Sequence, residues 1–154
     1  LLPQWAQKDD LETMLEIIVD ASVALKWFPI KGETFVEESR DVWKAVQSGR
    51  IKAYAPLFLL VEVANVLARK KKVEPAVYKN ILKKLADSEI VFIDLKKNDL
   101  VSLGVLINKY GLTAYDTQYL LLARQLKCKL VSYDEELLKI SDWVVRVKDL
   151  SLTK

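Results

Sequence analysis

Short apolar runs, each about the length of a β-strand, alternate along this chain with longer segments of helical periodicity. Strands are expected at Glu16–Asp20, Ile51–Ala55, Ile90–Leu95, Lys129–Ser132 and Trp143–Val147. Helices are expected at Ala21–Phe28, Thr34–Ser48, Leu57–Lys72, Glu74–Asp87, Asn98–Tyr110, Thr113–Lys127 and Glu135–Ile140. Pro29 stops the first helix, Gly49 and Gly111 close two others, and Pro75 sits in a first turn, where its missing N–H costs nothing. Ile51–Ala55 alternates, but taken together the strands are apolar runs rather than half-polar ladders, so both faces of their sheet need cover. That pattern predicts an α/β fold, a three-layer α/β/α sandwich around a central, mostly parallel sheet. Ligands of such sheets gather beyond the carboxyl ends of the strands, near the switch in strand order.

A length of 154 residues with 51% hydrophobic content fits one domain with a substantial core. Residues 1–13, ahead of Met14 and the first strand, read as an N-terminal extension, and residues 14–154 as a single domain. The extension lacks a basic start followed by an apolar run, so it is not a signal peptide. Glu62 interrupts the most apolar helix, Leu57–Ala68, which rules out a membrane span there. One cysteine, Cys128, excludes an internal disulfide framework and points to a reducing cytoplasm.

The chain contains no histidine. Histidine triads, histidine general bases and most zinc sites are therefore excluded, leaving carboxylates, hydroxyls and amines for any chemistry. The net charge of +3 is too small to define a nucleic-acid partner. Basic clusters at Arg69–Lys72, Lys83-Lys84, Lys96-Lys97 and Lys127/Lys129 suit phosphate contacts if they line one rim, and are otherwise solvated helix ends.

Asp20 ends the first strand, Asp134 follows the fourth, and Asp116 lies in the first turn of the helix before that fourth strand. In a parallel sheet these positions share one edge. Each also reads as a helix cap: Thr113-Ala-Tyr-Asp116 resembles a capping box, and Asp134 or Ser132 suits the start of the next helix. Glu62 is different, because its helix is apolar almost all round. With Asn65 and Arg69 it makes a narrow polar stripe flanked by Phe58, Val61 and Val66, which fits a cleft wall as well as a solvent face. Carboxylates converging on one point repel unless a cation sits among them. Oxygen-only donors suit Mg²⁺ or Mn²⁺, and such ions support displacement at phosphorus without histidine.

The segments IIVDASVALKWF, FLLVEVANVLAR, GLTAYDTQYLLLARQL and KLVSYDEEL resemble, in order and spacing, the four acidic motifs of PIN domains. The likeness is greatest to compact VapC-type toxins of toxin–antitoxin pairs and runs from Glu16 to Val147. It implies a Mg²⁺- or Mn²⁺-dependent endoribonuclease that forms a homodimer or higher oligomer and is held inactive by a cognate antitoxin protein. By that resemblance Asp20, Glu62, Asp116 and Asp134 are the catalytic and metal-binding carboxylates, Ser132 is the family's hydroxyl residue, and Asn65 its asparagine one turn after the glutamate. Many relatives carry a further aspartate where this chain has Glu136, which is left outside the expected site. Asp116 and Asp134 are then caps and ligands at once, since a helix start favours an ionised carboxylate.

Two other enzyme layouts fail on the residues. A haloacid-dehalogenase phosphatase needs a second aspartate two positions after the first, where Ser22 stands. In a phospho-receiver domain Asp94 would be the acceptor, but the adjacent acidic pair after the first strand is missing. The non-enzymatic alternative is a catalytically silent PIN-like module that binds RNA or a partner. Separately, Trp27, Phe28, Phe35 and Trp43 suggest either a rich core or an oligomer interface.

Overall fold

The computed structural model describes residues 14–150; the N-terminal extension read over residues 1–13 lies outside them. The elements in chain order are β1 (Leu15–Val19), α1 (Ala21–Ala24), α2 (Val36–Gln47), β2 (Ile51–Pro56), α3 (Phe58–Asn65), α4 (Pro75–Ala86), β3 (Val91–Ile93), α5 (Asp99–Tyr110), α6 (Ala114–Leu126), β4 (Lys129–Val131), α7 (Glu135–Leu138) and β5 (Val144–Val145). All five strands are parallel, in the order β3-β2-β1-β4-β5.

β1 is central, with Ile17 opposite Ala53 on one side and Lys129 on the other. Ile17, Ile18 and Val19 are fully buried, the expected result for an apolar run covered on both faces. Right-handed crossovers place α1 to α4 on one face of the sheet and α5 to α7 on the other. α6 packs along β1, β2 and β4. One large core surrounds the sheet, and Leu103, Leu106 and Leu121 form a smaller cluster between α5 and α6.

Two expected helices change character along their length. α1 tightens into a 3₁₀ turn at Leu25–Trp27, and Phe28 is already extended, as the residue before a proline is driven to be. The segment expected as one helix over Leu57–Lys72 passes from α3 into a π-helical turn at Val66–Lys70, closed by Lys71 N–H on the Val66 carbonyl. Arg69 therefore leaves the α-helical register it was expected to share with Glu62 and Asn65.

The aromatic set is mostly core. Trp27 and Phe28 are buried, Trp43 packs on both at ring-centroid distances of 4.8 and 5.8 Å, and the Trp27 indole N–H donates to the Ser39 carbonyl at 2.8 Å. Trp27 and Phe28 are thus taken up by the core, with Trp43 partly buried against them. Phe35 alone stays in solvent.

Candidate active site at the carboxyl edge of the sheet

Asp20 follows the last residue of β1 and caps α1 in an extended conformation. The β1–β4 register sets Val19 opposite Val131, so Asp20 and Ser132 leave the sheet side by side. Ser132, fully buried, donates to Asp20 Oδ2, while Ser22 donates to Oδ1 at 2.6 Å and the Val23 N–H to Oδ1 at 3.2 Å. Ser132 Oγ in turn accepts the Asp134 N–H at 2.9 Å, and Ser22 Oγ accepts the Tyr133 N–H at 2.9 Å. Two serine-mediated links, Ser132 to Asp20 and Tyr133 to Ser22, thus stitch the end of β1 to the loop after β4. Only 4% of Asp20 is exposed.

The other three acids arrive from helices. Asp134 caps α7, its Oδ1 accepting the N–H groups of Glu136 and Leu137 at 2.9 and 3.0 Å. Asp116 lies in the first turn of α6, where Thr113 Oγ1 accepts its N–H at 3.1 Å and donates to its Oδ2 at 2.8 Å. The expected reciprocal capping box is therefore replaced by a hydroxyl-to-carboxylate bond. Glu62, half-buried in α3, accepts the Tyr119 hydroxyl on Oε2 at 2.6 Å. Tyr119 is buried and stands one helical turn beyond Asp116 on α6.

Burial pushes the Asp20 carboxyl up to about 6, against the lowering effect of its bonds to Ser132, Ser22 and Val23, and the charge of Glu62 adds to the rise. Glu62 is raised as well, first by burial and then by the charges of Asp116 and Asp134, with Tyr119 and Lys70 opposing. Burial and Glu62 also raise the Tyr119 hydroxyl, which stays a proton donor. All four expected carboxylates thus share one electrostatic field. None of them takes part in an ion pair among the described residues.

This donor set fits a hard divalent cation: it is oxygen-only, anionic, partly buried and, among the described residues, without an ion-paired partner. Among the described residues no three acids already form a closed metal cage. Mg²⁺ sites commonly need only one or two carboxylates, with waters and substrate phosphates completing the shell. Of the accessory expectations, Ser132 sits on Asp20, whereas Asn65 is exposed and makes no side-chain hydrogen bond among the described residues. Glu136 is bound to Lys139 at 2.7 Å. Ser22 and Tyr119 were not among the expected site residues. A hydroxyl two positions after Asp20 and a tyrosine three after Asp116 are the only marks they leave in sequence.

The fold is a parallel α/β domain with an acidic carboxyl edge, and a family model for the PIN domain matches residues 17–142. The chain belongs to the PIN domain family, whose members are typically nucleases that use divalent metal ions. Among solved structures it is similar to PAE2754 from Pyrobaculum aerophilum, with 23% identity over 88% of this chain and 92% of that one, at a TM-score of 0.64. It is also similar to a toxin–antitoxin complex from Klebsiella pneumoniae, with 16% identity, 85% and 97% coverage, and a TM-score of 0.63. At these identities the likeness is one of fold. No protein of curated function matches the chain.

Proposed function

We propose that this protein is a Mg²⁺- or Mn²⁺-dependent endoribonuclease, the toxin of a VapBC-type pair, working as a homodimer or higher oligomer and restrained by a cognate antitoxin protein. The observation that carries the reading is Asp20: a buried carboxylate, beside a second raised carboxylate, with hydroxyls and an amide but no cation to balance it. Asp20, Glu62, Asp116 and Asp134 would hold the ion. A divalent ion supplies water acidic enough to attack at neutral pH and offsets charge gathering on phosphorus.

The chain's own groups do the positioning. Ser22 and Ser132 fix both oxygens of Asp20, Tyr119 fixes Glu62, and Thr113 fixes Asp116. Asp116 Oδ1 and Asp134 Oδ2 accept no hydrogen bond among the described residues, so these oxygens are available to the ion or to the attacking water. In this reading Asp20 or Asp116 orients that water. The toxin assignment is supported by the family and by the fold likeness to a toxin–antitoxin complex.

The test is cleavage of a mixed RNA pool by purified protein in Mn²⁺, in Mg²⁺ and in chelator. Cutting is expected in metal only, and Asp116→Asn is expected to lower the rate by about 100-fold or more. Equal cutting in chelator would refute the metal requirement. A folded protein that cuts no RNA would leave the silent binding module.

A further inference from the structure

Two of the site carboxylates, Asp116 and Asp134, are each preceded by a tyrosine, and each tyrosine is stacked face to face on a phenylalanine. Tyr133 lies on Phe35 with ring centroids 5.4 Å apart and planes 8° from parallel. Tyr115 lies on Phe58 at 5.1 Å and 10°. Each pair has an inner ring held in place and an outer ring in solvent. Tyr133 is anchored by its hydroxyl on Glu38 at 2.6 Å, by its N–H on Ser22 and by the Lys26 ammonium over its ring; its partner Phe35 is 62% exposed. Phe58 is half-buried one helical turn before Glu62, and its partner Tyr115 is 59% exposed.

The strand order sets the two pairs on opposite sides of Asp20. Phe58 lies two residues beyond β2, Asp20 directly beyond β1, and Tyr133 two residues beyond β4, and these strands are neighbours in the order β2-β1-β4. Two interstrand spacings separate the flanking backbones by roughly 10 Å. Braces between helix starts would bury both rings of each pair, yet here the outer ring of each is in water. Phe35 also sits in the left-handed backbone region (φ 54°), an uncommon conformation for a bulky residue and one that accumulates at functional sites.

We propose that Phe35–Tyr133 and Tyr115–Phe58 are two stacking platforms that take unpaired nucleobases on either side of the phosphate presented to Asp20. The proposal rests on the nuclease reading and specifies what that site accepts. Flat aromatic rings with one free face take any base in a single strand, because every base has a π-face, whereas paired and stacked bases in a duplex offer none.

The experiment measures binding of a single-stranded oligoribonucleotide carrying 2-aminopurine, with Ca²⁺ in place of Mg²⁺ and strand integrity checked on a gel. Three probes are compared: the free strand, the same strand in a duplex, and a strand with abasic positions flanking the central phosphate. The free strand is expected to bind with quenching of the fluorescent base. Abasic substitution, Phe35→Leu and Tyr115→Leu are each expected to weaken binding by about 5- to 150-fold, while Phe35→Trp and Tyr115→Trp hold it near wild type. Circular dichroism melts confirm that the leucine variants are folded. Equal binding of abasic and normal strands, equal binding of duplex, or leucine variants that bind as wild type would overturn the proposal. So would leucine variants that alter only self-association or capture of a protein partner. Metal-dependent cleavage with base-independent binding would sink this proposal alone, and base-dependent binding without cleavage would sink the nuclease reading alone.

Discussion

Asp20 is buried without a cation, so it weighs on the metal-free protein at neutral pH. Its folded value of about 6 lies above the ordinary aspartate value of 3.8, so between roughly pH 4 and 6 the folded chain holds a proton that the unfolded chain has released. Stability falls as pH rises through that window, and the whole penalty, at most about 3 kcal/mol, is present above it. Asp20→Asn keeps the cap and removes the charge. In chelator it is expected to melt higher than wild type at pH 7 and level with it at pH 4; an equal difference at both pH values would contradict this account. Added Mn²⁺ should stabilise wild type and leave Asp20→Asn nearly unmoved. Tyr119→Phe tests the neighbouring link: with the ring kept and the hydroxyl lost, cleavage should fall by about 10- to 100-fold while the fold stays intact. That the four acids share one edge was legible in sequence, because Asp20 and Asp134 follow strands, Asp116 opens the helix before the fourth strand and Glu62 interrupts an apolar helix; Ser132 followed only from the resemblance. Tyr119 was not legible, because a tyrosine beside Leu120, Leu121 and Leu122 reads as core, and its partner lies 57 residues away.

Among the elements, α6 carries the most consequence, since its first turn holds Asp116 and its last leads into β4. Thr113→Ala removes both the cap and the donor to Asp116, and is expected to cost about 0.5–2 kcal/mol in a denaturant titration. Thr113→Ser should recover stability and cleavage together; recovery of stability alone would separate the cap from the site. At the other end Lys127 adopts the left-handed conformation (φ 54°) that closes the helix. Lys127→Gly should raise the denaturant midpoint, by up to about 1 kcal/mol, as relief of the left-handed strain exceeds the added freedom of the unfolded chain. Helix starts and stops were readable wherever proline, glycine or a capping hydroxyl marks them, as at Pro75, Gly111 and Thr113. The π-helical turn at Val66–Lys70 was not, because moving a hydrogen bond on by one residue changes no residue type. β3 and β5 came out shorter than their apolar runs; both are edge strands, with a ladder partner on one side only.

Across the whole molecule, the acid response has two parts of opposite sign. Glu33 is half-shielded in the loop between α1 and α2 and bridges Lys26 at 2.9 Å and Lys71 at 3.3 Å, tying that loop to the end of the π-helical turn. Burial works to raise its carboxyl, but the bonds and charges of Lys26 and Lys71 outweigh it and hold it below the usual range. Its contribution is therefore present above the unfolded carboxylate range and is lost as pH falls through the folded value. Glu33→Gln leaves Lys26 buried without its carboxylate, and is expected to cost roughly 3 kcal/mol at pH 7 and progressively less as pH falls through the folded value of Glu33, read from melting curves. The layers and the parallel sheet followed from strand-length apolar runs alternating with helices. The order β3-β2-β1-β4-β5 did not, because neither periodicity nor caps encode which strand lies beside which. That order has a consequence for synthesis. The hydrogen bond from Ser132 to Asp20 joins residues 112 positions apart, so the first strand leaves the ribosome long before the neighbour that completes its acidic edge. Closing so long a loop is slow, and until then β1 presents an unpaired side. For an enzyme read as cutting RNA, the acidic edge is whole only after most of the chain has been made.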